Sequence, residues 1–160
     1  MTQLPSLIQA LANGGVEFIL IGGVAATAHG SARLTQDVDA VYSRTPENLR
    51  RLAEALVPFK PYLRGAPPGL PFRWDVATLE RGLNFTLTTD LGPLDLLGEI
   101  PGGGTYLDLE PGAIRLHVFE VDCLCLSLKQ LIRSKRAAGR PKDLEALAEL
   151  EALADEEGDR

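Results

Sequence analysis

Long apolar runs are missing from this chain of 160 residues. The best candidate, Val16 to Ala28, is interrupted by Glu17, by the pair Gly22-Gly23 and by Thr27. It falls short of the roughly twenty clean residues that a membrane-spanning helix needs. The first turns of the chain carry neither a basic stretch nor an apolar run of the secretory type, so we expect a cytoplasmic protein with no membrane partner. Histidine is nearly absent, with only His29 and His117, and cysteine stops at Cys123 and Cys125. That poverty argues against a zinc site, and two thiols in an apolar segment read as buried and free. Neither a GxGxxG nor a GxxxxGKS/T pattern occurs, which removes the Rossmann fingerprint and the P-loop as routes to a nucleotide.

What is present looks ordinary for a folded chain: 45% apolar and 24% charged residues, over the length of one domain. We expect a single domain over 1–160, with a core from about 16 to 125 and C-terminal helices from about 127 to 156. Sixteen basic against 22 acidic side chains leave a net charge of -6, so the whole molecule repels nucleic acid at long range and any phosphate must be held locally. The imbalance is uneven. Lys129, Arg133, Lys135, Arg136, Arg140 and Lys142 fall within fourteen residues, followed by eight acids between Asp143 and Asp159.

Leu4, Leu7, Ile8 and Leu11 recur at helical spacing and stop at Gly14-Gly15, which predicts a helix over about 5–13. Val16 to Ile21 reads as a buried strand, Gly22-Gly23 as a break, and Val24 to His29 as a short helix ending at Gly30. Asp37 to Tyr42 alternates as a second strand, and Thr45-Pro46 makes an N-cap with proline at the first helical position. Five of the eleven prolines lie between Pro58 and Pro71, a density that predicts a loop without regular structure. Leu83 to Thr88 and Leu94 to Leu97 form an expected hairpin, Pro101 to Gly104 a mobile connection, and Ile114 to about Leu124 one last strand region. Two helices follow, split by Pro141. The predicted fold is α/β (α+β), a mixed sheet of four or five strands with helices packed on it.

Four features point to chemistry. Asp37 and Asp39 flank Val38, and the period of a strand sends both carboxylates to one face. At about 4 Å, two such charges repel by about 4 kcal/mol at an effective dielectric of 20, so a cation between them is called for. The spacing alone is weak, because acid-x-acid recurs at Asp108/Glu110, Glu120/Asp122, Glu149/Glu151 and Asp155/Glu157. Gly22-Gly23, between a strand and a helix, is either a tight turn or a bare-backbone cradle for phosphate. Asp95 sits among Leu94, Leu96 and Leu97, where a lone ionised carboxylate is costly; hairpin geometry could bring it beside the other two acids, and three carboxylates would suit Mg²⁺ or Mn²⁺ rather than zinc. Lys135 falls in the middle of the apolar stripe set by Leu128, Leu131 and Ile132. It either snorkels or meets a triphosphate, with Arg140 and Lys142 as neighbours.

Taken in order, Gly22-Gly23, His29-Gly30, Arg33, Thr35, Asp37/Asp39 and Asp95 resemble the DNA polymerase β-like nucleotidyltransferase superfamily. The run Leu128 to Ile132, Lys135, and Ala137 to Asp143 looks like the basic helix and following helix start of its small bacterial members, the minimal nucleotidyltransferases and the nucleotidyltransferase-like toxins of abortive-infection systems. The resemblance spans roughly Val16 to Leu150. It implies metal-dependent transfer of a nucleoside monophosphate from an NTP, ATP among them, to an acceptor hydroxyl or phosphate. By position it implies that Asp37, Asp39 and Asp95 hold Mg²⁺ (or Mn²⁺) and that Asp95 helps deprotonate the acceptor. Gly22 and Gly23 would bind the triphosphate, Arg33 and Lys135 would offset its charge, and Thr35 would brace the loop before Asp37. The acceptor is left open between tRNA, a protein and a small molecule such as an antibiotic, and the partner between an antitoxin and a second copy of the chain. A catalytically silent nucleotide-binding or partner-binding module of the same fold is the competing reading.

Overall fold

The computed structural model describes residues 3–158; Asp159, the last of the eight acids, lies outside them. The chain opens with α1 (Leu4–Asn13), β1 (Phe18–Ile21), α2 (Gly22–Ala28), β2 (Val38–Tyr42) and α3 (Pro46–Leu56). It continues through β3 (Tyr62–Leu63), α4 (Val76–Arg81), β4 (Phe85–Thr89) and β5 (Gly92–Leu97). A small pair β6 (Glu99–Ile100) and β7 (Gly104–Thr105) precedes α5 (Tyr106–Leu109), and β8 (Ile114–Val118), β9 (Val121–Cys125), α6 (Leu128–Ala138) and α7 (Pro141–Gly158) complete it.

The sheet has seven strands, in the order β3-β4-β5-β2-β1-β9-β8, not the four or five expected. β6 and β7 make a separate two-stranded sheet. One of the two additional strands comes from a segment read as irregular. Within the proline-rich stretch, Tyr62 and Leu63 pair with Thr88 and Leu87 of β4, so this segment adds an edge strand, a place that tolerates flanking prolines. The Pro101–Gly104 connection is the tip of the β6–β7 pair. The last strand region is two strands, because the chain reverses at Phe119 and Glu120, both with positive φ (54° and 66°). Nothing in a Phe-Glu pair announces such a turn, for which glycine or asparagine is the usual signal.

The sheet is mixed: β1 runs antiparallel to β2 and parallel to β9, while β2 runs parallel to β5. Its centre is covered on both sides. Phe18, Ile19, Leu20 and Ile21 are all buried, as a strand with helices on both faces requires, whereas β8 alternates half-buried and exposed residues. Helix α1 packs on α3, β2 and β9, and α2 packs on β1, β2 and α6, which pairs with α7. One contiguous hydrophobic core runs from Leu7 to Leu150. Helix ends follow local chemistry. Thr45 Oγ1 accepts from the Asn48 N–H at 3.3 Å, Ser127 and Gln130 close a capping box, and Gly139 at φ +66° ends α6 in the left-handed region. Cys123 and Cys125 are free and buried; burial pushes the Cys125 thiol up to about 12. Among the described residues no helix is long and apolar enough to cross a membrane.

Candidate functional site

Two β-strand neighbours form the floor of the site. In the parallel pair β2–β5, Asp39 lies directly opposite Asp95, so both side chains leave the same face of the sheet. Asp37 differs from the expectation, since it precedes β2 and sits in the loop before it. Burial, the neighbouring Asp95 carboxyl and the charge of Asp37 push Asp39 up from 3.8 to about 7, with Lys135 opposing. Burial is the largest cause, the Asp95 carboxyl the next.

Helix α2 meets this floor at Gly22, which begins the helix rather than breaking the chain before it. Gly22 has φ +62°, and a Cβ there would run into Asp39 Oδ2. The glycine therefore serves two needs, a left-handed backbone and room for a carboxylate. At Gly23 a Cβ would meet Thr35 Oγ1 at 3.0 Å. Thr35 in turn donates to the Asp37 carbonyl at 3.2 Å, which ties the loop ahead of β2. Ile21, at the N-cap, supplies no side-chain cap to α2.

The opposite wall comes from α6, α7 and the turn between them. Lys135 Nζ donates to Asp143 Oδ1 at 3.0 Å, and Arg140 Nε donates to Asp143 Oδ2 at 2.6 Å. Asp143 is fully buried, and its two cationic partners hold its carboxyl down at about 2. Arg33 turns away from the carboxylates: its Nη2 donates to the Glu145 carbonyl at 3.1 Å and its Nε lies 3.8 Å from Glu149. Ser31 joins it, donating to Glu149 Oε1 at 2.6 Å. The loop over 31–37 is thereby moored to α7. Lys142 is exposed, with no ion-pair partner among the described residues. The basic run is thus partly neutralised by the acids after it, Arg136 pairing with Glu151 as well.

The expected site residues all line one cleft of about 800 Å³. Gly22, Gly23, Arg33, Thr35, Asp37 and Asp39 line it from one side, and Asp95, Lys135, Arg140 and Lys142 from the others. The expected residues are brought together, with acids at the sheet and cations at the helices.

Three partners were not legible in the sequence. Arg64, just past β3, places Nη2 2.9 Å from Asp95 Oδ1. It is aimed elsewhere, donating through Nε and Nη2 to the Leu87 carbonyl at 3.2 and 2.7 Å. Asp95 Oδ1 therefore has a nearby charge yet no hydrogen-bond donor, although it is buried, an arrangement that leaves a lone pair open toward a ligand. Glu149 and Asp143 are the other two; the Arg140-Pro141-Lys142-Asp143 spacing, an acid at the third residue of a helix, is the one local signal that could have marked Asp143.

The floor fits a hard divalent cation in donor chemistry: two carboxylates side by side, one with a buried oxygen that accepts no hydrogen bond. Among the described residues, however, no group of three or more His, Cys, Asp or Glu side chains is spaced to hold a metal ion. Asp37 reaches Asp39 as a neighbouring charge, and the gathered donors are the Asp39–Asp95 pair.

No family model and no curated protein matches the chain. Among solved structures it is similar to a crystal structure from Thermotoga maritima described as a candidate nucleotidyltransferase, with a TM-score of 0.57 at 15% identity over 91% of this chain and 88% of that one. At that identity the likeness is one of fold, and it extends over nearly the whole of both chains: the mixed sheet and helices described above are those of a nucleotidyltransferase-like fold.

Proposed function

We propose that this chain is a metal-dependent nucleotidyltransferase that moves a nucleoside monophosphate from an NTP to an acceptor hydroxyl or phosphate. The observation that carries the reading is the Asp39–Asp95 pair, two acids directly opposite each other on neighbouring strands at one end of a cleft whose other wall is cationic. Burial and the Asp95 carboxyl hold the proton on Asp39 up to about pH 7, a penalty on the ionised form that a bound divalent cation removes. The nucleotidyltransferase-like fold supports the same conclusion.

In this reading Asp39 and Asp95 hold the cation, with Asp37 beside them. When bound, Mg²⁺ or Mn²⁺ supplies charge neutralisation at the α-phosphate and the leaving pyrophosphate. Phosphoryl transfer asks the protein mainly for position and electrostatics. Lys135 and Lys142 meet the negative charge of the triphosphate from the helix wall, while Gly22 and Gly23 let the phosphates approach bare backbone. Asp95 Oδ1, free of any donor, receives the acceptor's proton as its oxygen bonds to the α-phosphorus and the bond to pyrophosphate breaks. Arg33 and Thr35 brace the loop over 31–37 and do not touch phosphate. We extend the proposal to a toxin paired with an antitoxin; its support is the resemblance of the run from Leu128 to Asp143.

Calorimetric titration of each NTP with and without Mg²⁺, run in parallel on Asp39→Asn, tests this. Mg²⁺-dependent binding that the variant loses with its fold intact is the expected result. NTP binding that persists unchanged in Asp39→Asn, or no binding to either protein, refutes it.

A further inference from the structure

Among the described residues Asp143 is the one carboxylate with no solvent exposure at all. A buried charge is costly unless it is paired and hydrogen-bonded, and Asp143 has four donors on it. The Arg140 N–H lies 3.2 Å from Oδ2 and Arg140 Nε 2.6 Å from it, while Lys135 Nζ at 3.0 Å and Arg140 Nη2 at 3.2 Å reach Oδ1.

Capping α7 accounts for only one of these contacts. The Arg140 N–H needs a single acceptor at the third helical residue, and a neutral side-chain oxygen such as an amide's would serve. The charge and the second oxygen are used on Lys135, which belongs to a different helix, is only about one-quarter exposed, and lies close enough to Asp39 for its charge to act there. Lys135 therefore stands between two anionic groups, Asp143 behind it and the sheet carboxylates ahead. A free lysine side chain loses rotamer freedom when it is fixed; one already pinned by Asp143 is spared most of that loss when a phosphate arrives. We propose that Asp143 is a positioning residue of the cleft, which acts through Lys135 by locking its ammonium in place for an anionic, phosphate-bearing ligand.

This rests on the nucleotide reading above, and the sign of the effect separates it from plain electrostatics. Removing an anion from beside the cleft should by charge alone tighten phosphate binding, whereas loss of positioning should weaken it.

The test is a double-mutant cycle on the full chain with Asp143→Asn and Lys135→Met, read by calorimetric binding of inorganic tripolyphosphate in Mg²⁺. Asn still offers an oxygen to the Arg140 N–H, and Asp143→Ser is the second variant should Asn fail to fold by circular dichroism. Asp143→Asn is expected to weaken binding about tenfold, and to weaken it less than threefold once Lys135 is already Met. Unchanged or tighter binding in Asp143→Asn, or the same loss in both backgrounds, overturns the inference while leaving the nucleotide reading intact. If the wild-type chain binds neither tripolyphosphate nor any NTP, the nucleotide reading falls and takes the inference with it.

Discussion

Replacing Gly22 by alanine is the perturbation whose cost follows most directly from the geometry. The backbone sits at φ +62°, where an L-residue with a Cβ pays about 1–2 kcal/mol. That Cβ would overlap Asp39 Oδ2 and lie 3.2 and 3.3 Å from Cγ and Cβ of the same side chain. Asp39 has little freedom to yield, because its backbone is fixed between β1 and β5. Turning the carboxylate off its rotamer adds about 0.5–1.5 kcal/mol and takes it away from Asp95. The sum is about 1.5–3.5 kcal/mol, which in a chain of this size lowers the melting temperature by about 3–14 °C. Thermal unfolding followed by circular dichroism reads it directly. In an Asp39→Ala background the clash disappears and only the backbone strain of about 1–2 kcal/mol should remain. Gly23→Ala provides the contrast, since its φ is unexceptional and the atoms it would meet, Thr35 Oγ1 at 3.0 Å and Cβ at 3.1 Å, lie in a loop residue that has only a few tenths of an ångström to give. An equal loss in both Asp39 backgrounds, or a Gly22→Ala protein as stable as wild type, would refute the reasoning.

Other consequences can be measured on the same protein. Asp39 keeps its proton to about pH 7 in the folded chain but loses it near 3.8 when unfolded. The folded state thus binds more protons in between, and this group's contribution to stability is full below pH 4 and falls by up to about 1.4 kcal/mol per pH unit toward pH 7. Subtracting urea-unfolding profiles of Asp39→Asn from wild type isolates that slope, and a difference that rises with pH contradicts it. Arg64→Met removes a cation 2.9 Å from Asp95 Oδ1; for this half-buried pair, discounted for solvent screening, the effect is of order 1 kcal/mol, so Mn²⁺ should bind about fivefold tighter by calorimetry. Weaker binding would mean that Arg64 holds Asp95 in place rather than competing for it. Both thiols are buried and their pKa values raised, so a thiol reagent at pH 8 should label no cysteine in the native protein and two after unfolding.

How far the sequence could be read depended on the range of each signal. Helices α1, α3, α6 and α7 were visible because their signals are local: Leu4, Leu7, Ile8 and Leu11 at helical spacing, Thr45 before Pro46, the stripe of Leu128, Leu131 and Ile132, and Pro141 at the split between the last two. The acids and glycines of the site were visible as an ordered set, in the sense that all of them face one cleft. The short strands were not. β3 has two residues, and what makes it a strand is β4, more than twenty positions away. The β8–β9 reversal rests on two positive-φ residues, Phe119 and Glu120, whose types carry no turn signal.

Residue types alone therefore determined which chemistry the chain could attempt: hard oxygen donors, bare glycine backbone and a basic helix, with too few histidines and thiols for anything softer. Tertiary structure decided who meets whom. It set Asp39 against Asp95, gave Asp95 an arginine from the proline-rich segment, turned Arg33 away to α7, and buried Asp143 behind Lys135. A charge in a sequence shows its sign but not its partner, because ion pairing depends on distance through space, and that distance is set only when strands far apart in the chain come into register.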